Sequence, residues 1–179
     1  MPHHPAANVA QIQGAIRNIS DFPQPGIQFK DITPVLADPK LFAATIDLLA
    51  GKYRPEDVDA VVGIDARGFI FAAAVAYKLG AGFVPVRKKG KLPYQTYEQS
   101  YDLEYGANTI AIHTDALKPG ARVLLVDDLL ATGGTAGAAA HLVERVGARI
   151  LELTFVIELS FLNGRDRLKQ HPVRSLVVY

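Results

Sequence analysis

The chain has no cysteine in its 179 residues. Disulfides, cysteine-bound zinc, thiol nucleophiles and iron–sulfur clusters are therefore excluded. Net charge is nearly absent as well, since 19 Lys and Arg against 18 Asp and Glu leave +1. That balance lacks the basic footprint of a dedicated nucleic-acid binder and the charge excess of a disordered chain. Long apolar runs are missing. The uncharged run at 68–77 is too short for a bilayer, and the one at 129–143 is interrupted by Thr-Gly-Gly-Thr. The opening Met-Pro-His-His-Pro has no basic region leading into an apolar one, so no secretory signal is expected and a cytoplasmic location is. The five histidines, His3, His4, His113, His141 and His171, do not fall at metal-ligand spacing apart from the adjacent terminal pair, so no protein-built metal site is expected. There is no Gly-Lys-Ser/Thr and no Gly-x-Gly-x-x-Gly, which removes the commonest nucleotide loops.

What is present is a 49% apolar chain of a length that suits one domain, 1–179, with one real core. Residues 7–19 read as an amphipathic helix, with Val9, Ile12, Ile16 and Ile19 at spacings of three and four. Two prolines and a glycine make 21–26 an ordered loop. Asp38 is a good N-cap and Pro39 suits the first helical position, opening a helix with Phe42, Thr45, Ile46, Leu49 and Tyr53 on its apolar face. The continuous apolar run at 60–64 is that of a strand covered on both faces. An alanine-rich helix at 68–79 ends at Gly80, and strands follow at 82–86 and 122–126. A helix at about 135–146, a strand within 149–159 and an edge at 175–179 complete the pattern. This alternation predicts an α/β fold, a mostly parallel twisted sheet flanked by helices, with ligands bound at the carboxyl ends of its strands. Residues 87–106 break the rhythm. They are polar, basic at the start, and carry Tyr94, Tyr97, Tyr101 and Tyr105, which reads as a functional lid.

Residues 123–135, Val-Leu-Leu-Val-Asp-Asp-Leu-Leu-Ala-Thr-Gly-Gly-Thr, carry the most chemistry. An apolar strand ends in Asp127 and Asp128, a loop follows, and a helix begins. The first turn of a helix leaves backbone N–H groups without partners, and its dipole favours an anion. Gly133 and Gly134 let the backbone close around an anion, and Thr132 and Thr135 add hydroxyl donors. Together they form a phosphate cradle that needs no lysine. The carboxylates precede the glycines, where a sugar's vicinal hydroxyls would lie, so the order suggests a ribose 5-phosphate held at both ends.

This segment resembles the binding motif for phosphoribosyl pyrophosphate (PRPP) in the type I phosphoribosyltransferases. The resemblance runs from about residue 16 to 168 and extends to Asp-Phe-Pro-Gln-Pro-Gly-Ile-Gln-Phe-Lys-Asp-Ile-Thr-Pro at 21–34, Asp-Ala-Arg-Gly-Phe at 65–69, Arg-Lys-Lys-Gly-Lys-Leu-Pro at 87–93 and Tyr-Asp-Leu-Glu-Tyr-Gly at 101–106. The first, third and fourth of these point to the adenine-specific branch. The resemblance implies the type I phosphoribosyltransferase fold with a flexible hood loop at about 87–106, and the reaction of adenine with PRPP to give AMP and pyrophosphate, a purine salvage step, in a homodimer. It implies Mg2+ as cofactor, held mainly by PRPP oxygens and water near Asp127 and Asp128 and not by direct protein ligands. The ribose and 5-phosphate fall to Asp127, Asp128, Ala131, Thr132, Gly133, Gly134 and Thr135. Pyrophosphate falls to Asp65, Ala66, Arg67, Gly68, Arg87 and Lys91, with Lys88 and Lys89 left open. A non-proline cis peptide is implied at Asp65–Ala66. Adenine falls to Gln28, Phe29 and Lys30, the ring of Phe29 stacking on the base. Many relatives carry arginine where this chain has Lys30, which leaves that side chain's role open. Glu104 takes the acid–base role and Arg67 the charge-stabilising one. The loop at 92–100 is implied as the mobile hood that keeps water from the reacting sugar.

Three other readings compete. A phosphoribosyltransferase for hypoxanthine, guanine, xanthine or orotate would share the 127–135 loop. A non-catalytic PRPP-sensing regulator would need a nucleic-acid surface that a net charge of +1 does not supply. A structural α/β domain would leave the loop, the arginine turn and the basic run as coincidences.

Overall fold

The computed structural model describes residues 8–102 and 107–179. The chain divides into two compact units, one ending at Leu48 and one spanning Leu49–Tyr179.

The first unit opens with α1, Val9–Ala15. Asn8 caps it: its Oδ1 accepts from Gln11 N at 3.0 Å while Asn8 N donates to Gln11 Oε1 at 3.0 Å. The helix stops there, four residues short of the expectation of 7–19. Residues Arg17–Ser20 instead form β1, which pairs antiparallel with β2, Gln28–Asp31. The three-and-four spacing of Ile16 and Ile19 is compatible with a helix, but pairing with β2 gives this backbone partners and overrides it. The 21–26 loop joins the strands, closed by Asp21 Oδ1 accepting from Gly26 N at 2.8 Å, with cis Phe22–Pro23 inside it. A short α2, Thr33–Ala37, precedes α3, Pro39–Ala50. Asp38 caps α3 as expected, its Oδ1 accepting from Lys40 N at 2.8 Å and Leu41 N at 3.0 Å. Thr45, Ile46 and Leu49 are buried, while Tyr53 lies past the helix end.

In the second unit β3, Ala60–Ile64, is buried along its whole length. It leads to α4, Gly68–Leu79, which Gly80 ends at φ 61°, and then to β4, Gly82–Lys88. β5, Thr96–Asp102, and β6, Ala107–His113, follow. β7, Arg122–Leu130, leads through α5, Gly134–Arg145, to β8, Arg149–Glu158, and β9, Val173–Val178, closes the order. The sheet runs β5-β6-β4-β3-β7-β8-β9. The β4–β3, β3–β7, β7–β8 and β8–β9 pairs are parallel; β4–β6 and β5–β6 are antiparallel. Mostly parallel pairing with helical crossovers matches the expectation.

Alternation along each strand sorts the core. Ala60, Val62, Ile64, Val123 and Leu125 share one cluster with Ala139, Leu142 and Val143 of α5. On α4, Ala72 lies against Gly63, where a Cβ would come within 2.6 Å of the Ala72 Cβ. The helices following β3 and β7 thus cover opposite faces, and the two adjacent strands form a switch point whose carboxyl edge opens as a crevice.

Two expectations need correction here. β7 does not end at Val126 but continues through Asp127 and Asp128 to Leu130, because β8 runs alongside it to Glu158 and supplies ladder partners. The loop expected at 92–100 is strand from Thr96 onward. Tyr97 and Tyr101 alternate inward and pack on the core, and β6 pairs with β5 along its length.

Candidate active site

A cavity of about 400 Å³ opens at the carboxyl ends of β3 and β7, lined by 64–67, Tyr101 and 127–136. The expected residues Asp65, Ala66, Arg67, Asp127, Asp128, Ala131, Thr132, Gly133, Gly134 and Thr135 therefore share one space.

The cradle is built from backbone. Gly133 is the N-cap of α5 in the left-handed region at φ 79°, and as a glycine it brings no capping side chain. The first-turn amides of α5 have no partner within the helix, which gives this end a partial positive charge. The loop rests on Gly164, which the sequence reading missed. A Cβ on Gly133 would collide with the Gly164 carbonyl oxygen, and a Cβ on Gly164 would collide with the Ala131 carbonyl oxygen. Gly164 is itself held in place, because Arg165 clasps the buried Glu158 with Nε to Oε1 and Nη2 to Oε2 both at 2.7 Å, and donates from Nη1 to Val173 O at 2.9 Å. That pairing draws the Glu158 carboxyl below its usual range. The only sequence signal was the Asn163-Gly164 turn pair. Thr135 Oγ1 donates to the Tyr101 phenol oxygen at 2.9 Å, a link that neither residue's neighbours announce.

The acidic pair is not symmetric. Asp127 is buried, and its Oδ1 accepts from Asp128 N at 2.9 Å. Burial, then the charge of Asp128, pushes the Asp127 carboxyl well above its ordinary value. Gly68 sits against it: a Cβ there would collide with Asp127 Oδ1. Asp128 instead receives Arg67, whose Nε donates to Oδ2 at 2.5 Å while the guanidinium stays partly exposed. Arg67 is thus both an ion-pair partner and a cavity wall.

The Asp65–Ala66 bond is cis. Asp65 Oδ2 accepts from Arg87 Nε at 3.1 Å, and Arg87 Nη1 donates to the Lys91 carbonyl at 3.1 Å. Gly68, Arg87 and Lys91 are not among the described residues that line the cavity; Arg87 stands behind Asp65. Lys89, in the turn after β4, pairs with Glu98 of β5 at 2.7 Å on the surface.

In the first unit, Gln28, Phe29 and Lys30 lie along β2. Phe29 meets Phe22 edge to face with centroids 5.1 Å apart. Lys30 Nζ donates to Asn18 Oδ1 at 2.6 Å, and Gln28 Nε2 to Ser20 Oγ at 3.2 Å. Asp31, next in line, is held at about 2 by hydrogen bonds from Thr33 and then by Arg17, whose Nη2 lies 2.6 Å from Oδ2. Glu104 and Tyr105 lie outside the described residues. Among the described residues no group of three or more His, Asp or Glu is arranged to hold a metal ion.

Residues 31–176 match the family model described as phosphoribosyl transferase domain. The chain is 60% identical over 174 residues to the adenine phosphoribosyltransferase of Acidothermus cellulolyticus, covering 97% of this chain and 98% of that one. It is similar to the crystal structure of adenine phosphoribosyltransferase from Rhodothermus marinus, with a TM-score of 0.90 at 52% identity over 96% of this chain and 98% of that one. It is also similar to the enzyme from Saccharomyces cerevisiae, solved with an imino-altritol bisphosphate and adenine, with a TM-score of 0.89 at 42% identity over 94% and 97% of the two chains.

Proposed function

Since the chain belongs to the phosphoribosyl transferase family, we propose that it transfers the 5-phosphoribosyl group of PRPP to adenine, giving AMP and pyrophosphate in purine salvage. The observation that carries this reading is the cavity itself, in which a backbone phosphate cradle faces an arginine-bearing turn across two carboxylates.

The reaction breaks the bond from the sugar's anomeric carbon to pyrophosphate, forms one to adenine N9, and removes the N9 proton. Positive charge builds on the ribose ring in between. The chain's part is to align the reactants, spread the leaving group's charge and keep water out. The amides of the first turn of α5, with the Thr132 and Thr135 hydroxyls, hold the 5-phosphate. Asp127 and Asp128 take the ribose hydroxyls. Arg67, beside the backbone of Asp65 and Ala66, takes charge on departing pyrophosphate, and Arg87 and Lys91 add positive potential behind it. Gln28 and Lys30 read the base by their backbone groups and Phe29 stacks on it. Glu104 is the acid–base group, an assignment that rests on its place in Leu-Glu-Tyr-Gly at 103–106. Its Glu104→Gln variant should lower turnover far more than it weakens PRPP binding.

Asp127 and Asp128, the latter paired with Arg67, line the cavity where they would act through water on a hard cation whose own ligands are mainly substrate oxygens and water. Mg2+ bound there would neutralise charge on the pyrophosphate oxygens. We further propose a cytoplasmic homodimer; sedimentation at micromolar concentration that finds only single chains would overturn the dimer.

The test is pyrophosphate release with PRPP and magnesium, comparing adenine, hypoxanthine, guanine and orotate. Adenine-dependent release with AMP formed is expected. Release with another base would keep the chemistry and reassign 21–34. PRPP binding without turnover on any base would favour a sensing role.

A further inference from the structure

β5 lies alongside α5 and is tied to it at both ends. Near the helix C-terminus, the Arg145 guanidinium sits over the Tyr97 ring, 4.4 Å from its centroid. At the helix start, the Thr135 hydroxyl meets the Tyr101 phenol at 2.9 Å. Both rings pack on the core, and Tyr101 also faces the cavity. We propose that Tyr101 is a positioning residue of the phosphate cradle, acting through the hydroxyl of Thr135. This inference rests on the reading of 131–135 as a 5-phosphate site.

A hydroxyl has one proton to donate. In the structure the Thr135 hydroxyl is placed to donate to the Tyr101 phenol oxygen. A phosphate monoester brings acceptors, and the pair answers by reversing direction. The phenol donates to Thr135 Oγ1, and the Thr135 O–H turns to the phosphate. Each group keeps its own proton; only the orientation changes. The phenol is the stronger donor of the two, and a hydroxyl that accepts a hydrogen bond becomes a better donor itself. Tyr101 also fixes where Thr135 Oγ1 sits before the ligand arrives, which lowers the ordering cost of binding. Because its ring is anchored in the core, the phenol does this from a rigid support.

The experiment measures binding of ribose 5-phosphate and, separately, of pyrophosphate by titration calorimetry, with steady-state kinetics alongside. Tyr101→Phe keeps the ring and removes one oxygen. It should weaken ribose 5-phosphate by about 5–10-fold, the scale of one hydrogen bond. It should leave pyrophosphate within about twofold, and raise KM for PRPP while kcat changes little. Thr135→Val should lose at least as much, Thr135→Ser should retain affinity, and Tyr101→Phe added to Thr135→Val should cost nothing more. Additive losses, equal loss of both ligands, or an unchanged Tyr101→Phe would overturn the proposal. If Tyr101→Phe does not fold, a Thr135→Val variant with wild-type affinity overturns it alone. Neither probe carries a base, so failure of adenine turnover would sink the proposed reaction and leave this test standing. A wild-type chain that binds no ribose 5-phosphate would sink the inference itself.

Discussion

At one end of the cavity the 131–135 loop offers amides and two hydroxyls and no charged side chain; at the other, Arg67 in the wall is paired with Asp128, and Asp65 in the wall is paired with Arg87 behind it. The proposed reaction gives this contrast a meaning. The 5-phosphate is carried from substrate into product, so its site needs only to hold and orient it, which fixed dipoles do without side-chain entropy. Pyrophosphate must be stabilised as it departs and then released. Guanidinium groups partly balanced by carboxylates supply charge without becoming a trap for the product. One end depends on backbone shape, the other on charge balance.

Breaking the shape should have the largest effect. Gly133→Ala puts a side chain in the left-handed region and against the Gly164 carbonyl. The conformation alone costs about 1–3 kcal/mol. A loss of kcat/KM of about 100-fold or more is expected, since reacting groups would shift relative to one another. Near-normal kinetics would mean that the loop's shape is not what holds the phosphate.

Breaking the charge balance comes next. Arg67→Gln removes a donor aimed at developing charge and leaves Asp128 without the partner that Arg67 provides. A fall in kcat of about 10²–10³ is expected, as for loss of one such donor elsewhere. The binding of ribose 5-phosphate should hardly change. Equal loss of both would merge the two ends into one electrostatic unit.

Asp127 sharpens the contrast through pH. Its carboxyl is pushed up, so the folded chain holds a proton there at pH values where the unfolded chain has released it. Stability from this group therefore falls as pH rises above the ordinary value of 3.8. Asp127→Asn should melt higher than the parent at neutral pH, with the gap closing toward pH 4, while kcat/KM drops. A gap that widens on acidification would reverse the sign and refute the burial argument.

The smallest effect is expected at the other ends of the same two strands. Asp59 just before β3 accepts from Arg122 Nε at 3.0 Å and from its Nη2 at 2.9 Å, which holds its carboxyl at about 2. Here the sign is opposite: the stabilisation is present above 3.8 and is lost as pH falls through about 2. Asp59→Asn should lower the melting temperature slightly at pH 7, leave kinetics untouched, and match the parent near pH 2. A kinetic defect would couple the amino ends of the strands to the cavity.

The elements that could be read from the sequence are those whose signal is local. Asp38 and Pro39 announce α3, the apolar run announces β3, and Gly80 ends α4. The strand–loop–helix around 127–135 was legible because strand, acids, glycines and helix follow in one stretch of chain. What escaped depends on distant partners. β7 runs past its acids because β8 is there to pair with it, and 96–102 is strand because β6 returns alongside. Residues 17–20 leave the helix because 28–31 offer a ladder. Gly164 and the Tyr101–Thr135 bond belong to the same class, since nothing in either neighbourhood names the partner.

The contact beneath the cradle changes where the site can vary. Position 164 presents no side chain to any ligand, yet any residue larger than glycine would press on the carbonyl of Ala131. Mutational tolerance at this site therefore does not track distance from substrate. A survey that scores positions by substitution frequency should find 133 and 164 restricted together, and a library built to alter base preference gains nothing by opening either one.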